Sequence, residues 1–268
     1  MTTSAPTNDL TLSRELNGQV ALITGAGSGI GAATAARLAQ AGAACALVGR
    51  KLPALEHTRA QCAALGAAAD CFVADVTDPA AAEAAVSGAV ARFGRLDILV
   101  NAAGVIATGG LQATDLEAWD AMFAINVRSV FHLMRLAQAH LERTRGCVVN
   151  VSSVAGLRSF PGVIAYAASK AALDQLTRCA ALELAAAGVR VNAVNPGVVV
   201  TELHRRGGME PAAYEAFLER SKTTHPLGRV GQPQEIADLI LFLASPRAGW
   251  ITGETVAIDG GRALTCLR

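Results

Sequence analysis

The residues best suited to chemistry in this chain are a tyrosine and a lysine, Tyr166 and Lys170, four positions apart. Residues 165–186 around them predict a helix, so both side chains should share one helical face. A free tyrosine has a pKa of about 10 and is a poor acid or base near neutrality. A nearby ammonium group lowers that pKa, so the pair predicts proton transfer by Tyr166. A simple surface pair is the alternative.

A hydroxyl that could bind a reacting oxygen precedes this pair. Ser153 lies thirteen residues before Tyr166 and directly follows a predicted strand, residues 148–151. Its hydroxyl could hold a substrate carbonyl or alcohol oxygen. A serine after a strand can equally cap the start of a helix. Its position alone leaves both interpretations open.

A glycine-rich turn occupies residues 24–31, between the first predicted strand and the first predicted helix. Glycines let the backbone turn tightly and let a pyrophosphate approach the peptide N–H groups, and the helix N-terminus favours an anion. The spacing differs from G-x-G-x-x-G, because Ile30 takes the place of the last glycine of that pattern. A plain tight turn is the alternative, but the position favours dinucleotide binding.

The end of the second predicted strand, residues 44–48, should read the cofactor ribose. An acidic residue there favours the free hydroxyl of NAD, whereas an arginine can accept the extra phosphate of NADP. This strand is followed by Gly49, Arg50 and Lys51, without an acid. Arg50 could hold a phosphate through two parallel hydrogen bonds. The sequence therefore favours NADP(H), with NAD(H) and a solvated surface pair as alternatives.

The elements that must position these residues alternate along the chain. Strands are predicted at residues 20–24, 44–48, 70–74, 96–100, 148–151, 189–194 and 255–258. Helices are predicted at residues 32–41, 52–65, 79–93, 116–141, 165–186 and 233–243. This alternation predicts an α/β fold, a doubly wound (Rossmann) seven-stranded parallel sheet with helices on both faces. Such sheets bind ligands beyond the carboxyl ends of their strands, where most of the polar motifs fall.

The composition bounds the domain organisation. The chain has 268 residues, of which 52% are hydrophobic and 17% charged, which suits one large core. We expect a single dinucleotide-binding catalytic domain over residues 18–268, after a disordered tail over residues 1–17. Residues 202–229 depart from the alternation and are a candidate substrate lid. Their basic side chains could favour acidic substrates, although a solvated mixed-charge surface is the stronger interpretation.

Several function classes are disfavoured by composition. The formal net charge is +1 and no basic run occurs, so no nucleic-acid partner is expected. No run of about 18 apolar residues predicts a membrane span, and the N-terminus does not resemble a secretory signal. Six cysteines and five histidines show no metal-ligand spacing. Reduced cysteines and a cytoplasmic location are therefore expected.

Taken together, these motifs resemble the short-chain dehydrogenase/reductase superfamily, in its single-domain branch that includes 3-oxoacyl-thioester reductases. The resemblance covers residues 18–261. It rests on the turn at residues 24–31, Asn101-Ala102-Ala103-Gly104, Asn126, Ser153, Tyr166 with Lys170, and Pro196-Gly197. One departure is that the family's Asn-Asn-Ala-Gly reads Asn-Ala-Ala-Gly here if it is aligned on Asn101; alternatively, Val100 replaces the first Asn. The resemblance implies hydride transfer between a nicotinamide cofactor and a small-molecule carbonyl or secondary alcohol.

The resemblance also implies roles for individual residues. Ser153 would hold the reacting oxygen, and Tyr166 would give or take the proton. Lys170 would lower the pKa of Tyr166 and bind the nicotinamide ribose. Asn126 would hold a water that relays protons. The implied cofactor contacts are Thr24, Gly25, Gly27, Ser28, Gly29, Ile30, Gly31, Arg50, Asp75, Val76, Asn101, Ala102, Gly104, Tyr166, Lys170, Pro196, Gly197, Val199 and Thr201.

Within that set, Asp75 and Val76 would contact the adenine, Asn101 and Gly104 would line the adenosine side, and Thr201 would contact the carboxamide. The resemblance further implies a homotetramer, formed through the helices at residues 116–141 and 165–186 and the C-terminal segment.

The substrate and the function class keep alternatives. The chain resembles 3-oxoacyl-thioester reductases and small alcohol or polyol dehydrogenases about equally, and Arg50 favours the NADP(H)-dependent reductase. An NAD-dependent alcohol, polyol or steroid dehydrogenase is the alternative. A cofactor-sensing protein without turnover is a second class, since one fold can serve both roles. The presence of Ser153, Tyr166 and Lys170 favours the enzyme.

Overall fold

Seven strands form one parallel sheet in the computed structural model, which describes residues 14–265. The strands are β1 (Val20–Thr24), β2 (Ala44–Gly49), β3 (Ala69–Val73), β4 (Ile98–Asn101), β5 (Cys147–Val151), β6 (Arg190–Pro196) and β7 (Thr255–Ile258). They lie in the order β3-β2-β1-β4-β5-β6-β7, and every pair of neighbours is parallel. The predicted α/β doubly wound architecture is confirmed.

Helices cover both faces of this sheet. They are α1 (Gly29–Gln40), α2 (Leu52–Ala64), α3 (Pro79–Phe93), α4 (Leu116–Phe123), α5 (Ser129–Thr144), α6 (Val154–Leu157), α7 (Ile164–Leu184), α8 (Leu203–Arg206), α9 (Pro211–Thr224) and α10 (Pro233–Ala244). One core cluster packs α1, α2 and α10 on one face, and a second packs α3, α5 and α7 on the other. Alternate residues of β1 enter the two clusters, as Ile23 and Leu22 do.

The long helix predicted at residues 116–141 is interrupted. A π-helical segment over residues 124–128 separates α4 from α5, and it carries the buried Asn126. An extra residue in a helical turn redirects the side chains on it, and such segments are frequent at functional sites. The hydrophobic periodicity of the sequence does not reveal this π-helical segment. The lid region contains α8 and α9, and α6 follows Ser153; none of these three helices was predicted.

The predicted N-terminal tail is partly wrong. Residues 1–13 of it, and Cys266 at the other end of the chain, lie outside the described residues. Residues 14–17 form a turn in which the N–H of Asn17 donates to the carbonyl of Arg14. Leu16 is fully buried in the core, and its N–H donates to the carbonyl of Ala41. The folded part therefore begins before Gly18. Of the described helices, none has the length and apolarity needed to cross a membrane.

Candidate active site

The site forms where the chain reverses direction across the sheet. β1 and β4 are neighbours, yet the chain leaves them toward opposite edges, which opens a crevice at their carboxyl ends. Thr24, at the end of β1, links this strand to the segment after β4. Its hydroxyl accepts hydrogen bonds from the N–H groups of Ala102 (3.1 Å) and Ala103 (3.0 Å). A Cβ on Gly25 would lie 2.9 Å from the Ala102 carbonyl oxygen. The two segments therefore approach closely enough to require glycine.

The turn after β1 fits a pyrophosphate. A Cβ on Gly31 would lie only 2.3 Å from the carbonyl oxygen of Gly25, and Gly29 has a left-handed φ of +54°. Ser28 is the N-cap of α1 but makes no capping hydrogen bond with its side chain. The N–H groups of the first helical turn are thus not engaged by a side-chain cap, as an anion site requires. Thr201 closes the far side, 3.2 Å from where a Gly29 Cβ would lie.

The end of the crevice beside β2 carries an arginine that is held only weakly. The Arg50 guanidinium lies 3.9 Å from the carboxylate of Asp75, and both side chains are largely exposed. Asp75 is fixed from its other side, by the N–H and hydroxyl of Thr77 at 2.9 and 2.7 Å, and these hydrogen bonds lower its pKa. Exposed ion pairs of this length contribute little to stability. Arg50 can therefore turn from Asp75 to another anion.

Tyr166 and Ser153 meet at the end of β5. Ser153 is the N-cap of α6, and its Oγ accepts a hydrogen bond from the N–H of Ala155 at 3.1 Å. The capping interpretation is therefore correct, but it leaves the hydroxyl proton available. Tyr166 is buried on the adjoining face of α7. Burial raises the pKa of Tyr166, and a hydrogen bond with Ser153 partly opposes this by lowering it.

The lowering of the Tyr166 pKa that we expect from Lys170 is opposed in this structure by burial of the phenol. The Lys170 Nζ donates to the carbonyl of Val151 at 2.8 Å and lies 5.8 Å from the centroid of the Tyr166 ring. Burial of the phenol therefore dominates, and its pKa is raised rather than lowered. The same burial lowers the pKa of Lys170 to about 8, opposed by the charge of Asp174. Lys170 is thus a buried ammonium close to its titration point.

Asn126 is locked in place beside Lys170. Its Oδ1 accepts from the N–H of Val105 at 3.0 Å, and its Nδ2 donates to the carbonyl of Val105 (3.1 Å) and to the hydroxyl of Ser169 (3.0 Å). A Cβ on Gly104 would lie 3.3 Å from the Asn126 Oδ1 and 3.6 Å from the Lys170 Nζ. These contacts bring Gly104, Asn126 and Lys170 together.

Asn101 contributes differently from the prediction. Its side chain is buried, and its Nδ2 donates to Asn150 on β5 at 2.9 Å. Asn150 in turn donates to the hydroxyl of Thr177 on α7 at 2.9 Å. The Asn101 amide therefore ties strands to a helix, and its side chain does not line the adenosine side.

Two residues that the sequence analysis left without a role support the segment after β6. The Nε2 of buried His225 accepts from the N–H of Val198 at 3.1 Å, and a Cβ on Gly197 would lie 2.9 Å from that Nε2. Tyr214, on the lid helix α9, donates to the carbonyl of Thr201 (2.8 Å) and accepts from its N–H (3.1 Å). No local pattern marks these contacts, because they join residues 13 and 27 positions apart.

The remaining predicted positions around β6 fall where the strand ends. Pro196 is the last residue of β6. Val199 is buried and forms an isolated parallel bridge with Gly231, so its side chain belongs to the core. Two basic residues of the lid form ion pairs within it, Arg205 with Glu202 and Lys222 with Glu219, and Arg229 pairs with Glu235 on α10. The mixed-charge interpretation of the lid therefore fits better than an anion-binding one.

Comparison with known proteins agrees with this architecture. A family model described as enoyl-(acyl carrier protein) reductase matches residues 25–263. The 3-oxoacyl-(acyl-carrier-protein) reductase FabG of Thermotoga maritima is 39% identical over 92% of this chain and 98% of its own length. Galactitol 2-dehydrogenase (L-tagatose-forming) of Cereibacter sphaeroides is 40% identical over 92% of this chain and 95% of its own.

A solved structure gives the same result. A short-chain dehydrogenase/reductase of Caenorhabditis elegans, of unknown function and solved with cofactor, superposes with a TM-score of 0.88 at 34% identity, covering 94% of this chain and 97% of that one. The fold and site define a nicotinamide-dependent oxidoreductase of alcohol and carbonyl groups. The chain belongs to the short-chain dehydrogenase/reductase family.

Proposed function

We propose that this enzyme transfers a hydride between NADP(H) and a carbonyl or secondary alcohol, with Tyr166 as the general acid or base. The observation that carries the proposal is the grouping of Ser153, Tyr166 and Lys170, all buried, at the carboxyl end of β5. The glycine-rich cradle after β1 lies across the same crevice. A cofactor bound in that cradle would supply or accept the hydride.

The hydroxyl groups have complementary tasks in this proposal. The Ser153 Oγ accepts from Ala155, so its proton is left to donate to the substrate oxygen or to Tyr166. Tyr166 gives its phenolic proton to the substrate oxygen during reduction and removes it during oxidation. Because burial raises the pKa of Tyr166, the phenol is protonated at neutral pH. The protonated phenol is the form that can give its proton to a carbonyl oxygen during reduction.

Lys170 and Asn126 would assist the proton transfer by Tyr166. An ammonium at Lys170 can hold the ribose hydroxyls of the cofactor and stabilise charge near Tyr166. Asn126 is rigid, because three hydrogen bonds to Val105 and Ser169 fix its amide. We assign it the ordering of a water beside Lys170, so that the proton lost by Tyr166 is replaced.

NADP(H) is the proposed cofactor because of Arg50. It follows β2 with Lys51, its side chain is 65% exposed, and its contact with Asp75 is long. A ribose phosphate can replace that contact with two charge-assisted hydrogen bonds. We expect NADPH to be used at least about tenfold more efficiently than NADH, and Arg50→Ser to remove most of this preference.

The cofactor proposal is tested by kcat/KM for both cofactors, in the native enzyme and in the Arg50→Ser variant. Arg59→Ser is the matched control, since Arg59 is a similarly exposed arginine on α2 that pairs only loosely with Glu56. A native enzyme that prefers NADH, or an unchanged preference in Arg50→Ser, would contradict the proposal.

For the substrate, we propose a ketone, with 3-oxoacyl thioesters first. The two relatives named above are a 3-oxoacyl reductase and a polyol dehydrogenase, and their identities of 39% and 40% do not separate these classes. The NADP(H) proposal favours the reductase. Initial rates with an acetoacetyl thioester, a diketone, a keto-sugar and a steroid ketone decide between them. A clear preference for the keto-sugar would move the assignment to the polyol class.

For the assembly, we propose a homotetramer. The faces of α5 and α7 carry exposed apolar side chains, with Phe131 50% exposed on α5 and Leu182 82% exposed on α7. Apolar side chains left on two neighbouring helices suit contacts between copies of the chain.

A further inference from the structure

Behind Lys170 lies a buried carboxylate that the proposed chemistry does not use. Asp174 follows Lys170 by four residues on α7, so the two side chains lie one helical turn apart on the same face. The Asp174 side chain is only 2% exposed, and Lys170 is 4% exposed. An unpaired charge in such an environment is costly, so each buried charge needs a partner of opposite sign.

Two neutral donors hold the carboxylate, and a third segment packs closely against it. The Asn195 Nδ2, from β6, donates to both carboxylate oxygens at 3.1 and 2.9 Å. Ser152, after β5, provides a second hydrogen bond that lowers the pKa of Asp174. A Cβ on Gly156, in α6, would lie 2.4 Å from Oδ2. The site is therefore shaped around this carboxylate.

This arrangement indicates that Asp174 is ionised. Burial raises its pKa, whereas hydrogen bonds from Ser152 and Asn195 and the charges of Arg178 and Lys170 lower it. An amide nitrogen has only protons to offer, so its contact with both oxygens suits a carboxylate rather than a carboxylic acid. Among the described residues that affect Asp174, the charged ones are Lys170 and Arg178, both on α7. β5 and β6 contribute neutral groups.

The same network reaches the backbone of Ser153. The Asn195 Nδ2 also donates to the carbonyl oxygen of Ser153 at 3.0 Å. Ser152 lies beside the backbone of Lys170, since its hydroxyl is 3.2 Å from the Lys170 carbonyl oxygen. A single buried anion is thus connected by short contacts to the residues on both sides of Tyr166.

We propose that Asp174 is a positioning residue that holds Lys170 in its ammonium form and, through Asn195, fixes the backbone of Ser153. Lys170 has its pKa lowered to about 8 by burial, and Asp174 is the group that opposes this fall. Without the carboxylate, Lys170 would lose its proton at a lower pH. The enzyme would then lose the charge beside Tyr166 within the physiological range.

The direct test is the titration of Lys170, which needs neither cofactor nor substrate. The chain has three lysines, Lys51, Lys170 and Lys222, so carbon-13 lysine labelling gives few signals, and Lys51→Arg and Lys222→Arg variants assign them. We expect the Lys170 Cε signal to titrate near pH 8 in the native protein. In Asp174→Asn we expect this midpoint to fall by about one unit, equivalent to about 1.4 kcal/mol.

The matched control is Asp97→Asn, which neutralises another buried carboxylate. Asp97 is 4% exposed, accepts from the N–H of Val20 and pairs with Arg95, away from Lys170. A purely structural effect would appear in both variants, so the Lys170 midpoint should move only in Asp174→Asn. Asp174→Ser, which keeps an acceptor for Asn195, replaces Asp174→Asn if the latter does not fold. An unchanged Lys170 midpoint in the folded variant would overturn the proposal.

A second experiment measures the kinetics of the same variant. It rests on the proposed function, so its result is interpreted separately from the Lys170 titration. Relative to the native enzyme, Asp174→Asn should lose about tenfold more reductase kcat near pH 9 than near pH 6, because loss of the ammonium depends on pH whereas any displacement of Ser153 does not. An equal loss at every pH would indicate a structural defect and overturn the proposal. If no variant or native enzyme turns over any carbonyl, the proposed function fails, while the Lys170 titration still decides the role of Asp174.

Discussion

Lys170 is the residue whose charge state should limit the enzyme at high pH. Its pKa is lowered by burial to about 8, so its ammonium form is complete below that pH and is lost above it. We therefore predict that kcat for carbonyl reduction is flat in the acidic range and falls with an apparent pKa near 8. Steady-state rates from about pH 6 to about pH 10 measure this.

Replacement of Lys170 by arginine separates charge from geometry. An arginine keeps its proton across this range, so whatever activity Lys170→Arg retains should lack the alkaline fall near pH 8. If kcat of the variant fell in the same way above about pH 8, another group would be responsible. The assignment of this alkaline decrease to Lys170 would then be wrong.

At the scale of single residues, the sequence predicted Tyr166, Lys170, Ser153 and Asn126 because short spacings and recognisable motifs mark them. Their electrostatics were not predictable. The sign of the Tyr166 pKa shift depends on burial, which outweighs the hydrogen bond with Ser153. The inward orientation of Asn101 depends on Asn150, 49 positions away. Such contacts exist only after the sheet has formed.

At the scale of elements, the turn between β1 and α1 is where backbone space matters most. A Cβ on Gly31 would lie 2.3 Å from the Gly25 carbonyl oxygen, a distance that forces the backbone to move. We predict that Gly31→Ala weakens NADPH binding at least about tenfold, measured by isothermal titration. Gly110→Ala is the matched control, because no atom lies within 4 Å of its added Cβ. Equal NADPH affinity in the two variants would contradict the assignment of this turn as the phosphate-binding site.

The strands were predicted within two residues of their bounds, because buried parallel strands are continuous apolar runs. The sequence did not predict the helix interruption at residues 124–128 or the helices α8 and α9. The π segment keeps an ordinary helical composition, and its position is set by contacts of Asn126 with Val105 and Ser169. The lid helix α9 is anchored by Tyr214, whose partner Thr201 lies outside the helix. The helical periodicity of the sequence does not reveal either contact.

At the scale of the whole molecule, we predict a tetramer in solution through α5 and α7. Sedimentation equilibrium should give four times the mass of the chain, and Phe131→Glu should reduce it by placing a charge on the apolar face of α5. Val73→Glu is the control, since Val73 is 56% exposed on β3, outside both helices and the C-terminal segment. A native protein that sediments only as a monomer would contradict the assembly.

The most direct test of the account is turnover by Tyr166→Phe. The substitution removes only a phenolic oxygen, so the fold and the affinity for NADPH should remain, while kcat/KM for carbonyl reduction should fall at least about a hundredfold. Tyr214→Phe serves as the matched control, because it removes the other tyrosine hydroxyl. That control should lower the melting temperature, by leaving the backbone of Thr201 without its partner, yet retain turnover. Loss of activity confined to Tyr166→Phe is the predicted result, and near-native turnover in that variant would contradict the proposed chemistry.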